Sequence, residues 1–263
     1  MWKYIYVPTT ERSIKLNEHY LLRYLRAKKF AVGKKVLDVG CGKGEGAVIL
    51  GEVATSVVAV DRSKQAVDFA NNNFGGHAVE FVWGDITKQV FDQTSFDLVT
   101  AFEVIEHLPV DNFELFVRKI SSLLNKGGIL LLSTPNNISR RKKPLNPYHT
   151  HEFTVPELRR LLSRYFKKVE IEGLNCINSE YIEKRRIIKK TVGFQIAEYL
   201  TRSKTVTYIS ALIPQIIKKR ITSIDTLPQL SEDDYKFTRD SAGSESLFAI
   251  CRFPITFSSF SPK

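Results

Sequence analysis

From Lys35 onward, short apolar runs alternate with amphipathic stretches. Lys35–Val39, Val57–Val60, Val79–Trp83, Phe96–Phe102 and Ile129–Ser133 are rich in β-branched and aromatic side chains, with the length of buried strands. Between them, Glu45–Val53, Lys64–Asn73 and Asp111–Leu124 carry apolar residues at helical spacing. The last is closed by Lys126-Gly127-Gly128, a helix-stop signal. Strands that alternate with helices predict a mainly parallel sheet covered on both faces.

The flanks extend this pattern. Asn17–Lys29 places Leu21, Leu22, Tyr24 and Leu25 among charges, as an amphipathic helix does. Residues 135–152 are polar and rich in Pro, Asn, Arg and His, a loop at the carboxyl end of a strand, where open α/β sheets bind ligands. Val155–Phe166 follows as a helix with Pro156 in its first turn. Lys168–Ile171 and Glu245–Arg252 complete a Rossmann-like, seven-stranded, mostly parallel sheet. The chain then divides into a helical lead-in (1–34), a core (35–178), a basic helical insertion (179–240) and a final strand with a tail (241–263).

Composition narrows the setting. A hydrophobic share of 43% supports a sizeable core. Cys41, Cys176 and Cys251 are far apart and odd in number, which suits neither a disulfide framework nor a zinc site. No apolar run at the N-terminus has signal-peptide length, and none elsewhere reaches the roughly 18 residues that span a bilayer. A cytoplasmic location is expected. The net charge is +11, and Tyr181–Asp225, with ten bases and three acids, carries most of it. That surplus favours anionic partners: phosphate-bearing substrates, nucleic acid, or the inner face of a membrane. Within it, Val206–Ile217 is apolar, interrupted by Pro214. It fits a lid over the acceptor, or a surface helix touching anionic lipid. Tyr181, Tyr199 and Tyr208 are available to line a pocket.

The first predicted strand runs into a glycine-rich turn, Asp38-Val39-Gly40-Cys41-Gly42-Lys43-Gly44. Such a turn lets a ligand approach backbone amides closely. Gly42, Gly44 and Ala47 fit G-x-G-x-x-A, and Asp61 stands about 20 residues on, so a dinucleotide such as NAD, and an oxidoreductase, is one reading. Asp38 opposes it, because a carboxylate at the turn would face a pyrophosphate. S-adenosylmethionine carries a sulfonium and an ammonium, and an acid there becomes favourable. Asp61 can accept both ribose hydroxyls, with Arg62 beside it, and Asp85 can accept from the adenine amino group while Ile86 packs on the ring. The plainer alternative is that Asp61 and Asp85 cap the segments that follow them.

These residues resemble the class I S-adenosylmethionine-dependent methyltransferases. Val36-Leu37-Asp38-Val39-Gly40-Cys41-Gly42, Val60-Asp61, Gly84-Asp85-Ile86, Phe102-Glu103-Val104-Ile105-Glu106-His107-Leu108 and Leu124 to Gly128 with Ser133-Thr134-Pro135-Asn136 are similar to that family's motifs in order and spacing. The resemblance implies a donor site on Asp38, Gly40, Gly42, Gly44, Asp61, Arg62, Asp85, Ile86 and Glu103. Glu11-Arg12, Glu18-His19, Arg23-Tyr24 and Ala27, with Asn146-Pro147-Tyr148-His149 and Glu152-Phe153-Thr154, resemble a bacterial type 11 subgroup linked to surface glycans. That implies O-methylation of a sugar, glycan precursor or other small molecule.

A hydroxyl acceptor must lose a proton, and histidine suits that task near neutral pH. His107 after strand four and His149 after strand five are the two candidates for the base; His151 fits a loop histidine bonded to backbone. A metal is not expected. Glu103, Glu106 and His107, at helical spacing, could with His149 or His151 hold one. That pattern resembles metal-dependent small-RNA 2′-O-methyltransferases, so RNA is an alternative acceptor.

Overall fold

In the computed structural model, the described residues are 18–74, 78–88, 96–142, 144, 146, 148–180, 182–183, 235–239 and 241–255. Lys184–Arg220, with its ten bases, and Tyr181, Tyr199, Tyr208 and Val206–Ile217 lie outside them, as do Glu11 and Arg12.

The chain runs α1 (Glu18–Ala31), β1 (Lys35–Val39), α2 (Glu45–Gly51), β2 (Ser56–Asp61), α3 (Lys64–Phe74), β3 (Val79–Trp83), β4 (Phe96–Phe102), α4 (Phe113–Leu123), β5 (Leu124–Pro135), α5 (Val155–Leu162), β6 (Phe166–Cys176), β7 (Tyr235–Thr238) and β8 (Ser246–Pro254). The strands form one sheet in the order β3-β2-β1-β4-β5-β8-β6-β7. The first five are parallel, and β8 pairs antiparallel with β5 and β6. The expected α/β architecture is present, with eight strands rather than seven. The extra strand is β7, inside the range expected to be helical. Tyr235 is buried and Lys236 exposed there, and the segment pairs antiparallel with Gly173–Cys176. Four residues are too short for periodicity to announce a strand.

Two apolar clusters sandwich the sheet. On one face, α4 buries Phe113, Phe116, Val117, Ile120 and Leu123, the i, i+3, i+4 stripe its sequence dictates. They join Leu37, Val39, Val99 and Ala101 with Leu158 and Leu162 of α5. On the other face, Tyr24, Ala27 and Ala31 of α1 and Ala47 and Leu50 of α2 meet Val36, Ala59, Leu98 and Phe102. Neighbouring residues of β1 thus belong to opposite faces, as the pleat requires. β1 lies between β2 and β4, where the strand order reverses, so a crevice opens at its carboxyl end. Among the described residues no helix is long and apolar enough to cross a membrane.

Candidate active site

A cleft occupies that crevice, lined by Val39, Gly40, Asp61, Arg62, Asp85, Ile86, Glu103, Val104, His107 and Leu108, among others. The glycine turn forms one wall. Gly40 has φ 76°, and a Cβ there would stand 2.4 Å from Val104 Cγ2. Gly42 has φ 56° with open space around it; Gly44 has φ 94° and abuts the Phe81 ring. Asp61 knits the turn together. Its Oδ2 accepts from the Gly42 N–H (2.9 Å) and its Oδ1 from the Ser63 N–H (2.7 Å). The carboxylate therefore caps, as the plainer alternative expected, yet each oxygen keeps acceptor capacity on the cleft side.

Asp38 departs from expectation. It does not line the cleft. It is fully buried on the α1 face, where Thr100 Oγ1 (2.6 Å) and the Tyr24 hydroxyl (3.1 Å to each oxygen) donate to it. The pleat is the reason: Val39 takes the opposite face, and register sets Asp38 beside Thr100. Burial raises its carboxyl from 3.8 to about 7. Asp38 supports the turn from beneath, and a charge argument about the ligand cannot rest on it.

That argument rests instead on Asp61, Asp85 and Glu103, three carboxylates in the lining against the single guanidinium of Arg62. A pyrophosphate would face them all, which disfavours a dinucleotide. Asp85 uses Oδ1 to accept from the Thr87 N–H (2.9 Å) and hydroxyl (2.7 Å). Ile86 is buried beside it. Trp83, unforeseen from the sequence, is exposed and donates its Nε1–H to the Arg62 carbonyl (3.1 Å). Glu103 sits at φ 56°, rare and strained for a residue with a Cβ. It is held there by the buried Arg23 (3.1 Å) and by Ser133 Oγ (2.9 Å). Arg23 and Tyr24 thus reach the site's framework from α1. In the sequence they stand out only as part of the lead-in that resembles the glycan-linked subgroup.

The second wall is a histidine corner. After β4 the chain makes a short 3-10 turn, Ile105–His107. The loop before α5 is tied to it, because the Thr150 N–H (2.7 Å) and hydroxyl (3.0 Å) both donate to the Glu106 carbonyl. His107 Nδ1 lies 3.0 Å from the Tyr148 carbonyl. A carbonyl only accepts, so Nδ1 carries the proton and Nε2 the lone pair. Burial holds the His107 pKa below its usual value, which keeps the ring neutral. His149 lies edge-on to His107, ring centroids 4.9 Å apart. Its Nδ1 is 3.0 Å from Glu152 Oε1, and its Nε2 is 2.8 Å from Asn146 Nδ2. Asn146 Oδ1 accepts from the Tyr148 N–H (3.0 Å), so its amide NH2 turns to His149. His149 therefore donates from Nδ1 to Glu152. Both nitrogens of His149 are occupied, whereas His107 alone of the pair lines the cleft.

Glu106 is fully buried, with Oε2 accepting from Thr134 Oγ1 (3.0 Å). Burial, reinforced by nearby Glu103, pushes its pKa well above the usual value. Of the residues considered for a metal, Glu106 and His107 come together with His149. Glu103 turns instead to Arg23. His151 packs on Phe113 and Phe153, 3.9 Å from Glu157.

The sequence model of the methyltransferase domain matches residues 11–171, and the chain belongs to that family. A probable S-adenosylmethionine-dependent methyltransferase of Mycolicibacterium smegmatis is 35% identical over 172 residues, 62% of this chain and 65% of that protein. A ubiquinone biosynthesis O-methyltransferase of Coxiella burnetii is 32% identical over 117 residues, 44% of this chain and 49% of its own. The chain thus spans about half to two thirds of the length of these relatives. The crystal structure of the N-methyltransferase NodS from Bradyrhizobium japonicum, in complex with S-adenosylhomocysteine, superimposes with a TM-score of 0.53. It covers 93% of this chain and 88% of that one at 14% identity, a likeness of fold alone.

The fold and family are those of the class I methyltransferases, whose cofactor is S-adenosylmethionine. The cleft fits that molecule on its own terms. It is acidic rather than phosphate-binding, and the open space beside Gly42 leaves the turn's backbone approachable.

Proposed function

We propose that the chain transfers the methyl group of S-adenosylmethionine to a hydroxyl oxygen of a small acceptor, a sugar or glycan precursor being the favoured class. The sulfonium of the bound cofactor supplies an already activated methyl group, so the protein's task is to position and to manage one proton. Asp61 accepts from the ribose hydroxyls, with Arg62 at its side. Asp85 accepts from the adenine amino group, and Ile86 packs against the ring. Gly40, Gly42 and Gly44 let the backbone come close to the rest of the donor, and Glu103 offers its carboxylate to the positive end.

The single observation that carries the acceptor chemistry is the lone pair on His107 Nε2. Its tautomer is set by the Tyr148 carbonyl, and its ring lines the cleft. A neutral imidazole nitrogen there can accept the acceptor oxygen's proton. His149, the other expected candidate, stands behind it as a partner in the same corner. The O-methyltransferase among the relatives supports oxygen as the acceptor atom.

The test uses methyl-labelled donor with a panel of sugars, glycan precursors, phenols and RNA. O-methyl product is expected on a small hydroxyl acceptor. His107→Asn should lower kcat by about 10²-fold with donor affinity retained. Label found only on nitrogen or on RNA, or full turnover by His107→Asn, would overturn the proposal.

A further inference from the structure

Glu106 Oε1 is buried with no hydrogen-bond partner among the described residues, a costly position for a carboxylate oxygen. Ligand atoms of Glu106, His107 and His149 all lie within 4.8 Å of one another. Each histidine also has a feature that metal-ligating histidines share. Its far nitrogen is committed to an oxygen that fixes tautomer and ring orientation: His107 to the Tyr148 carbonyl, His149 to the Glu152 carboxylate. Both rings are left with Nε2 as the lone-pair donor. The loop carrying His149 is pinned to the Glu106 carbonyl by Thr150, so the corner is built from both sides of the sheet edge.

We propose that Glu106 Oε1, His107 Nε2 and His149 Nε2 together bind a divalent first-row transition-metal ion at the wall of the cleft. Two imidazoles and one carboxylate are a borderline nitrogen–oxygen set, suited to manganese, iron, cobalt or zinc rather than to magnesium or calcium. Imidazole nitrogens and a carboxylate oxygen bind such an ion at about 2.0–2.2 Å, which puts tetrahedral ligand atoms about 3.4 Å apart. The three groups, within 4.8 Å of one another, have to draw in to that spacing around the ion. The Asn146 amide, which donates to His149 Nε2, has to move aside. Three protein ligands leave a coordination position open. His107 lines the cleft, so an acceptor hydroxyl that reached the ion would release its proton to solvent more readily, with His107 then serving as ligand rather than as base. This deepens the methyl-transfer reading and rests on it.

The test takes the full chain, stripped with a chelator and titrated with Co²⁺. One equivalent is expected, with visible d–d bands. Glu106→Gln and His149→Asn should abolish the bands, and Glu152→Gln should weaken binding roughly 10- to 100-fold. His151→Asn should bind as the parent does. No cobalt uptake, or uptake unaffected by Glu106→Gln and His149→Asn, overturns the site. So does loss of the bands in His151→Asn with retention in His149→Asn. Calorimetry of donor binding to the stripped chain separates the two readings. Donor bound without cobalt overturns the ion alone, and failure of the donor to bind overturns the reading beneath it.

Discussion

Replacing Asp38 by asparagine isolates the one carboxyl that the fold strips of water beneath the glycine turn. Its pKa stands at 3.8 ordinarily and at about 7 in the folded chain, raised by burial against the hydrogen bonds from Thr100 and Tyr24. Between those values the folded state holds a proton that the unfolded chain has released. Stability therefore falls as pH rises from about 4 to about 7, and the full deficit persists above that. At about 1.4 kcal/mol per pH decade, the deficit reaches roughly 4 kcal/mol. Asparagine has nearly the same shape and no titration. Urea unfolding of both proteins from pH 5 to pH 8 provides the comparison, since other groups titrate alike in the two. The variant should gain on the parent by roughly 3 kcal/mol across that range. A difference that stays flat, or that shifts against the variant as pH rises, would show that Asp38 is not desolvated as described.

Two further substitutions test the framework. Gly40→Ala forces a Cβ at φ 76° to within 2.4 Å of Val104, whereas Gly42→Ala at φ 56° meets only strain. The first should cost roughly 2–4 kcal/mol and abolish donor binding; the second should cost about 1–2 kcal/mol, both read by thermal unfolding and calorimetry. Arg23→Ala removes the buried partner of the strained Glu103, whose own side chain is 31% exposed. Because that exposure moderates the loss, about 2 kcal/mol is expected in urea unfolding. Unchanged stability would refute the role given to the pair.

The apolar pattern makes the parallel half of the sheet legible. Strands β1 to β4, the helix that buries Phe113, Phe116, Val117 and Ile120, and the loop after β5 all follow from periodicity and breakers. Asp61, Asp85, Ile86 and His107 line the cleft because they end, or follow, strands that finish at the same edge, which alternation alone predicts. Asp38 fails for a physical reason. A strand's period tells which residues share a face, but the α1 helix that covers Asp38 comes from 14 residues earlier, through Tyr24. His149 and His151 are two residues apart in a polar loop. The Thr150 link to Glu106 and the Asn146 and Glu152 contacts of His149 decide which joins His107. Arg23's contact with Glu103 spans the chain in the same way, and no local rule reports it.

The direct measurement is calorimetric binding of S-adenosylmethionine to the full chain and to Asp61→Ala, with NAD as the competing ligand. Asp61 both ties the turn to β2 and faces the cleft, so its loss removes a charge-assisted acceptor as well as the anchor of Gly42. S-adenosylmethionine should bind one to one, weaken by about 10²-fold or more in Asp61→Ala, and NAD should not bind. Binding of NAD in its place, or donor affinity indifferent to Asp61, would contradict the assignment of this cleft.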